Sequence, residues 1–300
     1  MKYDSVIIAG PTASGKSYFA HKLAKQINGA IINADSVQIY RGIENISASP
    51  FAGNTGKFDA IDGVPYKLFS VLPLSEHISV ADYLELAHKA LDEVIAMGKT
   101  PIFVGGTGYY INVLTDGLSQ IPDVSEASRT RAREMVEQDL EAAKKLLPED
   151  FAAVDPQRIS RALEVFFETG KHLSYWQQLP RVGAIIPNAL RVLIMPERRT
   201  LWERIALRIP EMVVGGALDE ARYIIDNNLD TGRAIGAIEL CEMLRGNISQ
   251  GTANENWVNK TNQYAKRQRT WFNGQYKADI EIKRVPIDED MEHVVALLKE

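Results

Sequence analysis

The chain has 300 residues, of which 45% are hydrophobic and 24% charged, and its formal net charge at pH 7 is −5. This composition predicts a globular protein with a sizeable core, either one large domain with an insertion or two domains, and the acidic balance excludes a uniformly basic nucleic-acid binder. Cys241 is the only cysteine, so a disulfide within the chain and a cysteine-based zinc site are excluded, and a reducing cytoplasm is the expected location.

The first predicted strand is the apolar run from Val6 to Ala9, which ends at a Gly10-Pro11 turn. The run is too short for a signal peptide or a membrane span, so we expect no targeting segment and no membrane association. A helix is predicted from Ser17 to a stop at Gly29, and a second strand follows at Ala30 to Asn33.

Further along the chain, Ser79 is the expected cap of a helix that ends at Gly98, and "TPIFVGGTGYY" then indicates a strand that runs into a loop. Strands and helices that alternate in this way are typical of an α/β fold. We therefore predict a P-loop-type parallel sheet flanked by helices, with functional loops at the carboxyl ends of its strands.

The pattern changes after Gly117 to a stretch that is helical in its spacing and almost free of strand signals. A strand returns at Arg191 to Met195, a long helical stretch begins at Thr200, and a final strand is expected near "DIEIKRV". The predicted domains are an α/β core formed by 1–116 and 188–300, and an all-helical insertion at 117–187.

The loop after the first strand, "GPTASGKS", matches G-x-x-x-x-G-K-[ST]. The backbone N–H groups of such a loop and the dipole of the following helix bind phosphate, Lys16 adds charge, and Ser17 can hold Mg²⁺. The predicted phosphate-binding residues are Gly10, Pro11, Thr12, Ala13, Ser14, Gly15, Lys16 and Ser17. The alternative is a glycine turn with a surface lysine.

This loop selects a diphosphate or a longer phosphate chain, but it does not select a nucleoside. The loop alone therefore does not decide whether ATP is the ligand. The strand that ends "IFVGGTG" lacks the metal-binding aspartate common in NTP-hydrolysing enzymes. The loop after the second strand, "ADSVQIY", adds Asp35, Ser36 and Gln38. Asp35 could accept a proton from an attacking amine and Gln38 could bond an adenine edge, or Asp35 or Ser36 could simply cap a turn.

These two loops belong to a longer series of segments that stand in one order across nearly the whole chain. The others are "GGTGYYI" (105–111), "DPQRISRALEVFFETGK" (155–171), "ERIALRIPEM" (203–212) and "YAKRQRTWF" (264–272). In this series the chain resembles the tRNA dimethylallyltransferase family. The resemblance implies transfer of a dimethylallyl group from dimethylallyl diphosphate to N6 of the adenosine 3′-adjacent to the anticodon, with release of diphosphate and with Mg²⁺ as cofactor.

The resemblance also assigns roles to single residues. It implies that Asp35 is the general base, that Ser17 binds the metal, and that Lys16, Thr107 and Arg208 contact the diphosphate. It implies that the helical insertion grips the anticodon stem-loop of tRNA, and we expect a monomer. The residues implied to contact tRNA are Asp35, Ser36, Val37, Gln38, Thr107, Arg129, Gln157, Arg158, Ile159, Ser160, Arg161, Lys266, Arg267 and Arg269.

A basic stretch offers a second place for RNA. Residues 260–284 carry seven basic and two acidic side chains, interleaved with Trp271, Phe272 and Tyr276, as expected where phosphates are neutralised and bases stack. The alternative is an amphipathic helix with Trp271 and Phe272 in the core. Arg158 and Arg161, three apart on one helix face, could equally be a surface pair.

The chain also departs from the family pattern. "ENISASP" (44–50) stands where members often have "GTAKP", and Ala237, Asn262 and Asn273 replace a usual tyrosine and two frequent basic residues. Two rival functions remain, a prenyltransferase for free adenine nucleotides and an ATP-binding protein, either a small-molecule kinase or a non-enzymatic RNA-binding module.

Overall fold

The computed structural model describes residues 3–53, 59–152, 155–230 and 234–300. The chain divides into two compact units. Unit one comprises Met1–Thr115 and Ile185–Glu300, and unit two comprises Asp116–Ala184. The boundaries predicted from the sequence, after 116 and after 187, differ from these by one and three residues.

Unit one is built on a single sheet. Within the described residues its strands are β1 (Val6–Ala9), β2 (Gly29–Asn33), β3 (Ala60–Ile61), β4 (Val64–Lys67), β5 (Thr100–Gly105), β6 (Leu190–Ile194) and β7 (Ile280–Ile282). Their order across the sheet is β3-β4-β2-β5-β1-β6-β7. Only the β3–β4 pair among these is antiparallel, so the predicted, mostly parallel α/β fold is confirmed.

Helices flank this sheet and form the second unit. Those of unit one are α1 (Lys16–Gln26), α2 (Val80–Ala96), α3 (Gly108–Asp116, whose last residue belongs to unit two), α8 (Arg198–Met212), α9 (Leu218–Asp226), α10 (Ala237–Leu244), α11 (Gln250–Gln275) and α12 (Asp288–Lys299). Those of unit two are α4 (Glu126–Gln138), α5 (Leu140–Lys144), α6 (Pro156–Thr169) and α7 (Leu173–Gln178). None of the helices in the described part of the chain has the length and apolar character needed to cross a membrane.

Two helix ends test the capping signals in the sequence, and the structure confirms one of them and contradicts the other. Ser79 caps α2 with a capping box in which Ser79 and Asp82 exchange side-chain and backbone hydrogen bonds, as its sequence position predicted. Gly29, predicted as the stop of α1, is not the stop. The helix ends at Gln26, Asn28 takes the left-handed conformation with φ 51°, and Gly29 begins β2. A Cβ on Gly29 would lie 2.7 Å from Cδ1 of Ile102 and 3.1–3.2 Å from backbone atoms of Ala24 and Thr100, so a larger residue there would require these neighbours to shift.

Two elements were not anticipated from the sequence. The β3–β4 hairpin turns at Asp62 and Gly63, both with positive φ. Asp-Gly is a strong hairpin signal, although the strand that precedes it here, β3, has only two residues. Helix α12 packs its buried residues Met291 and Val294 into the core of the sheet.

Candidate active site

The carboxyl ends of β1, β2 and β5 lie side by side because these strands pair in parallel, with Ala9 opposite Gly105 and Asn33 opposite Val104. The loops that follow β1 and β2 border a cavity of about 710 Å³ in unit one. Residues of α8 and α11 complete its wall. Phosphate-loop residues and the predicted base Asp35 therefore share one cavity, at the sheet edge where ligands bind in open α/β folds.

The backbone of the phosphate loop depends on two glycines. Gly15 precedes α1 with φ 93°, a left-handed conformation that glycine tolerates best. A Cβ on Gly10 would lie 2.4 Å from the carbonyl oxygen of Ile194, so no larger residue fits between the loop and β6. No side chain caps the start of α1, which leaves its first N–H groups to bind an anion.

Positive charge converges on this loop from two elements. The ammonium group of Lys16 donates to the carbonyl of Pro11 at 3.3 Å, and Arg208 of α8 donates from Nη2 to the hydroxyl of Thr12 at 2.9 Å. Desolvation lowers the pKa of Lys16 to about 8, opposed by the nearby Asp35 carboxylate and reinforced by Arg208. Burial also lowers the pKa of Arg208 to about 10. The buried Nε of Arg208 has no hydrogen-bond partner among the described residues, so an anion could supply the missing acceptor.

Two residues that support the loop were missed in the sequence. Arg204 donates from Nε to the carbonyl of Ala13 at 2.8 Å. Gln268 of α11 is buried, and its carboxamide accepts from the N–H of Thr12 and donates to the carbonyl of Gly106, both at 2.8 Å. The spacing of four between Arg204 and Arg208 was a usable signal, because it places both side chains on one helix face. Gln268 carries no comparable local signal.

Asp35 is held by its own neighbours. The buried side chain of Asn33 bonds both the N–H and the carbonyl of Asp35, each at 2.9 Å. Oδ1 of Asp35 accepts from the N–H of Val37 at 3.0 Å, so the turn-capping alternative is realised for this oxygen. Within the described part of the chain, Oδ2 accepts no hydrogen bond. That second oxygen of a cavity-lining carboxylate can meet a substrate N–H group.

Thr107 and Ser36 bond each other directly. The hydroxyl of Thr107 accepts from the N–H of Ser36 at 2.9 Å and donates to its Oγ at 3.2 Å. The phenol of Tyr264 bonds the same threonine, and burial raises the pKa of that phenol. Thr107 thus joins the β5 loop to the β2 loop behind two residues that line the cavity, Ser36 and Tyr264, but it is not itself a lining residue.

Gln38 and Val37 also line the cavity, and Gln38 is anchored to a later part of the same loop. Its Nε2 donates to the main-chain carbonyls of Ser47 and Ala48, both at 3.1 Å. Segment 44–50 therefore packs against the residue that is predicted to bond the adenine.

The predicted RNA contacts in unit two fall into two groups. Arg129, Gln157, Arg158 and Arg161 are exposed, whereas Ile159 and Ser160 are buried, with Ile159 in the core of this unit. Arg158 pairs with Asp155 at 3.3 Å and Arg161 with Glu164 at 3.0 Å, each three residues along the chain. Both arginines are exposed on one helix, as the alternative of a surface pair of arginines requires, and their contact with RNA stays a prediction.

The basic stretch on α11 likewise serves more than one purpose. Lys266 and Arg267 are exposed, and Arg267 borders the cavity. The guanidinium of Arg269 bonds the carbonyl of Pro196 inside unit one. Phe272 is buried and Trp271 is half-buried, as the amphipathic-helix alternative predicted.

The donor set for a metal is small. Among the described residues, no group of three or more His, Cys, Asp or Glu side chains is placed to hold a metal. The exposed hydroxyl of Ser17 and the carboxylate of Asp35 both line the cavity. One or two protein oxygens suit a divalent ion that takes its remaining ligands from phosphates and water.

The fold and the site together define an α/β protein in which the glycine-rich loop after β1 and the Asp35 carboxylate line one cavity. A model of the IPP transferase family matches residues 38–275, and a model of isopentenyl transferases matches residues 4–59. The chain belongs to the IPP transferase family. Transferases of prenyl groups generally use a divalent metal, which the donor set fits.

Similar proteins extend over nearly the full chain. A tRNA dimethylallyltransferase of Rickettsia felis is 37% identical over 287 residues, covering 91% of this chain and 91% of its own. One of Rhodopseudomonas palustris is 39% identical over 289 residues, covering 90% and 87%. The crystal structure of the full-length tRNA isopentenylpyrophosphate transferase of Bacillus halodurans is 30% identical, with a TM-score of 0.69 over 99% of this chain and 96% of its own.

Proposed function

We propose that this chain transfers the dimethylallyl group of dimethylallyl diphosphate to N6 of an adenosine in tRNA, the one 3′-adjacent to the anticodon. Relatives that match nine-tenths of the chain are named tRNA dimethylallyltransferases. The observation that carries the proposal is the cavity of unit one, in which an anion-binding loop and the Asp35 carboxylate face the same space.

In the proposed reaction the bond between C1 of the prenyl group and the diphosphate oxygen breaks, and its electron pair leaves with diphosphate. The loop N–H groups, Lys16 and Arg208 stabilise the charge that develops on this leaving group. The Nε of Arg208, which lacks a protein partner among the described residues, supports such a role.

The N6 lone pair of adenine forms the new bond to C1, and a proton leaves N6. Because this lone pair is delocalised into the ring, the amine is a weak nucleophile and benefits from a base. Oδ2 of Asp35 accepts that proton, while Oδ1 remains bonded to the N–H of Val37 and fixes the carboxylate.

We further propose Mg²⁺ as the divalent ion, with Ser17 and the diphosphate as its ligands. When bound, it adds positive charge at the leaving group. On the RNA side we propose that Gln38 meets the adenine, and that Arg129, Gln157, Arg158, Arg161, Lys266 and Arg267 contact the anticodon stem-loop. Side-chain contact by Ile159 and Ser160 would require their exposure. The cytoplasmic location and the monomeric state stay predictions.

The test is incubation with unmodified tRNA, dimethylallyl diphosphate and Mg²⁺, followed by nuclease digestion and mass analysis of the nucleosides. We expect dimethylallyl-adenosine from the fragment next to the anticodon, and none from a matched stem-loop with guanosine at that position. Product on free adenosine monophosphate but not on tRNA would favour the rival prenyltransferase. Consumption of ATP with no prenylated nucleoside would overturn the proposal.

A further inference from the structure

The loop 44–50 is held by a carboxylate from a distant helix. Glu220 of α9 accepts three hydrogen bonds from it, two from the backbone and side chain of Asn45 and one from the N–H of Ile46, at 2.7–2.8 Å. Burial raises the pKa of Glu220, and the bonds from Asn45 and Ile46 oppose that shift. A half-buried carboxylate with three donors on one loop is an anchor for that loop.

The backbone between α8 and α9 is shaped to receive this anchor. A kinked turn, Val213–Ala217, joins the two helices, and Gly216 within it leaves the helical conformation with φ 124°. A Cβ on Gly216 would lie 3.1 Å from Nδ2 of Asn45, and one on Gly215 would lie 3.3 Å from its Oδ1. The turn therefore leaves room for the Asn45 side chain that a regular helix with larger residues would fill.

The anchored loop in turn fixes Gln38. Its Nε2 carries two hydrogens, and the carbonyls of Ser47 and Ala48 take one each at 3.1 Å. Ala48 sits in the left-handed conformation with φ 51°, which turns this segment back toward Gln38. Gln38, Ser47 and Ala48 all line the cavity. The only polar atom of the Gln38 side chain left for a substrate is then Oε1, a hydrogen-bond acceptor.

We propose that Glu220 is a positioning residue that, through the loop 44–50, locks the carboxamide of Gln38 as an acceptor and thereby selects a nucleobase that presents an amine. An adenine offers its N6 hydrogens to such an acceptor, whereas a guanine presents the O6 oxygen, which Oε1 repels. The inference rests on the proposed function, since it assigns the base end of the same cavity.

The experiment measures the dissociation constants of two anticodon stem-loops in the absence of prenyl donor. One has adenosine and the other guanosine at the position 3′-adjacent to the anticodon. We expect Glu220→Gln to lower the guanosine-to-adenosine ratio of these constants about tenfold, because a released Gln38 can rotate and donate to O6. Asp219→Asn is the matched control, since Asp219 on the same helix pairs only with the exposed Arg222 among the described residues, and it should leave the ratio unchanged.

A second variant and a double variant separate positioning from general support. If Glu220→Gln does not fold, Asn45→Ala can replace it as the test. This variant removes one of the three bonds and should lower the guanosine-to-adenosine ratio about threefold. In a Gln38→Ala background, Glu220→Gln should change the ratio no further, because its effect passes through Gln38. An unchanged ratio in both single variants, or additive effects in the double variant, would overturn the inference. Absence of prenyl transfer by the unaltered chain would instead overturn the proposed function.

Discussion

The cavity of unit one and the exposed face of α6 in unit two hold their polar side chains in different ways. Around the cavity, Arg208 in its wall and Gln268 and Thr107 behind the wall bond loop atoms far from them in the chain, and these contacts are partly or fully buried. On α6, Arg158 and Arg161 bond acidic residues three positions away, Arg158 the exposed Asp155 and Arg161 the buried Glu164. An exposed pair such as Arg158–Asp155 contributes about 0–1 kcal/mol and is screened by salt. The cavity is therefore preorganised for chemistry, whereas Arg158 on α6 can exchange its partner for a phosphate.

The largest expected effect in this comparison comes from Asp35→Asn. The amide keeps an oxygen for the N–H of Val37, so the loop should be retained, but it cannot take a proton from N6. We expect kcat to fall about 10² to 10⁴-fold with unchanged tRNA binding. Single-turnover kinetics and a binding titration measure the two quantities. Turnover within about twofold of the unaltered chain would remove Asp35 from the mechanism.

A smaller effect is expected from Gln268→Ala, which leaves the N–H of Thr12 and the carbonyl of Gly106 without their partner. Each unsatisfied buried group costs about 1–3 kcal/mol, so the melting temperature should drop. Because the phosphate loop loses its link to the β5 loop, kcat/KM for the prenyl donor should fall about tenfold to 100-fold. The control is Gln263→Ala, an exposed residue of the same helix. Equal behaviour of the two variants would show that the cavity does not depend on this bridge.

The lowered pKa of Lys16, about 8, predicts a pH dependence at the anion end of the cavity. If the protonated lysine binds diphosphate, as proposed, the affinity for inorganic pyrophosphate should weaken as pH rises from 7 to 9, by up to about tenfold. Lys16→Met should bind pyrophosphate more weakly and should lack the part of the pH dependence that comes from Lys16. Because pyrophosphate itself titrates equally in both experiments, the difference between the two proteins isolates the contribution of Lys16. Calorimetric titrations across this range provide the test. Parallel pH profiles would contradict the assignment.

The same pKa shift bears on stability with a definite sign. Lys16 is charged up to about pH 10.5 when unfolded but only up to about 8 when folded. The unfolded chain therefore binds more protons between these values, and the Lys16 contribution to the free energy of unfolding increases as pH rises through that window. Lys16→Met should lose this rise, which chemical denaturation at pH 7.5 and 10 can detect.

The smallest expected effect is that of Arg158→Ala combined with Arg161→Ala. Loss of two phosphate contacts should weaken tRNA binding several-fold and reduce the slope of log affinity against log salt by about 1–2, with kcat unchanged. The control is Lys144→Ala in α5, which removes another charge paired three residues away in the same unit. A salt slope equal to that of the unaltered chain would mean that these arginines are only surface pairs.

Much of the fold was predictable because its signals are local. The apolar run Val6–Ala9 gave β1, and the serine at position 79 gave the start of α2. The prediction for Gly29 was wrong because a glycine after a helix is commonly its stop, while here Gly29 begins a strand that packs closely against Ile102 of β5. Helix propensity does not report such a close approach between distant segments.

The sequence by itself determined the phosphate loop, since the residues that form it are contiguous and its glycines and helix start follow from backbone sterics. Only the tertiary structure decided what holds that loop and its neighbours. Gln268 lies 256 positions from Thr12, and Glu220 lies 175 positions from Asn45. Hydrogen bonds across such separations depend on how helices pack against the sheet, and neither spacing nor composition encodes that packing in a readable pattern.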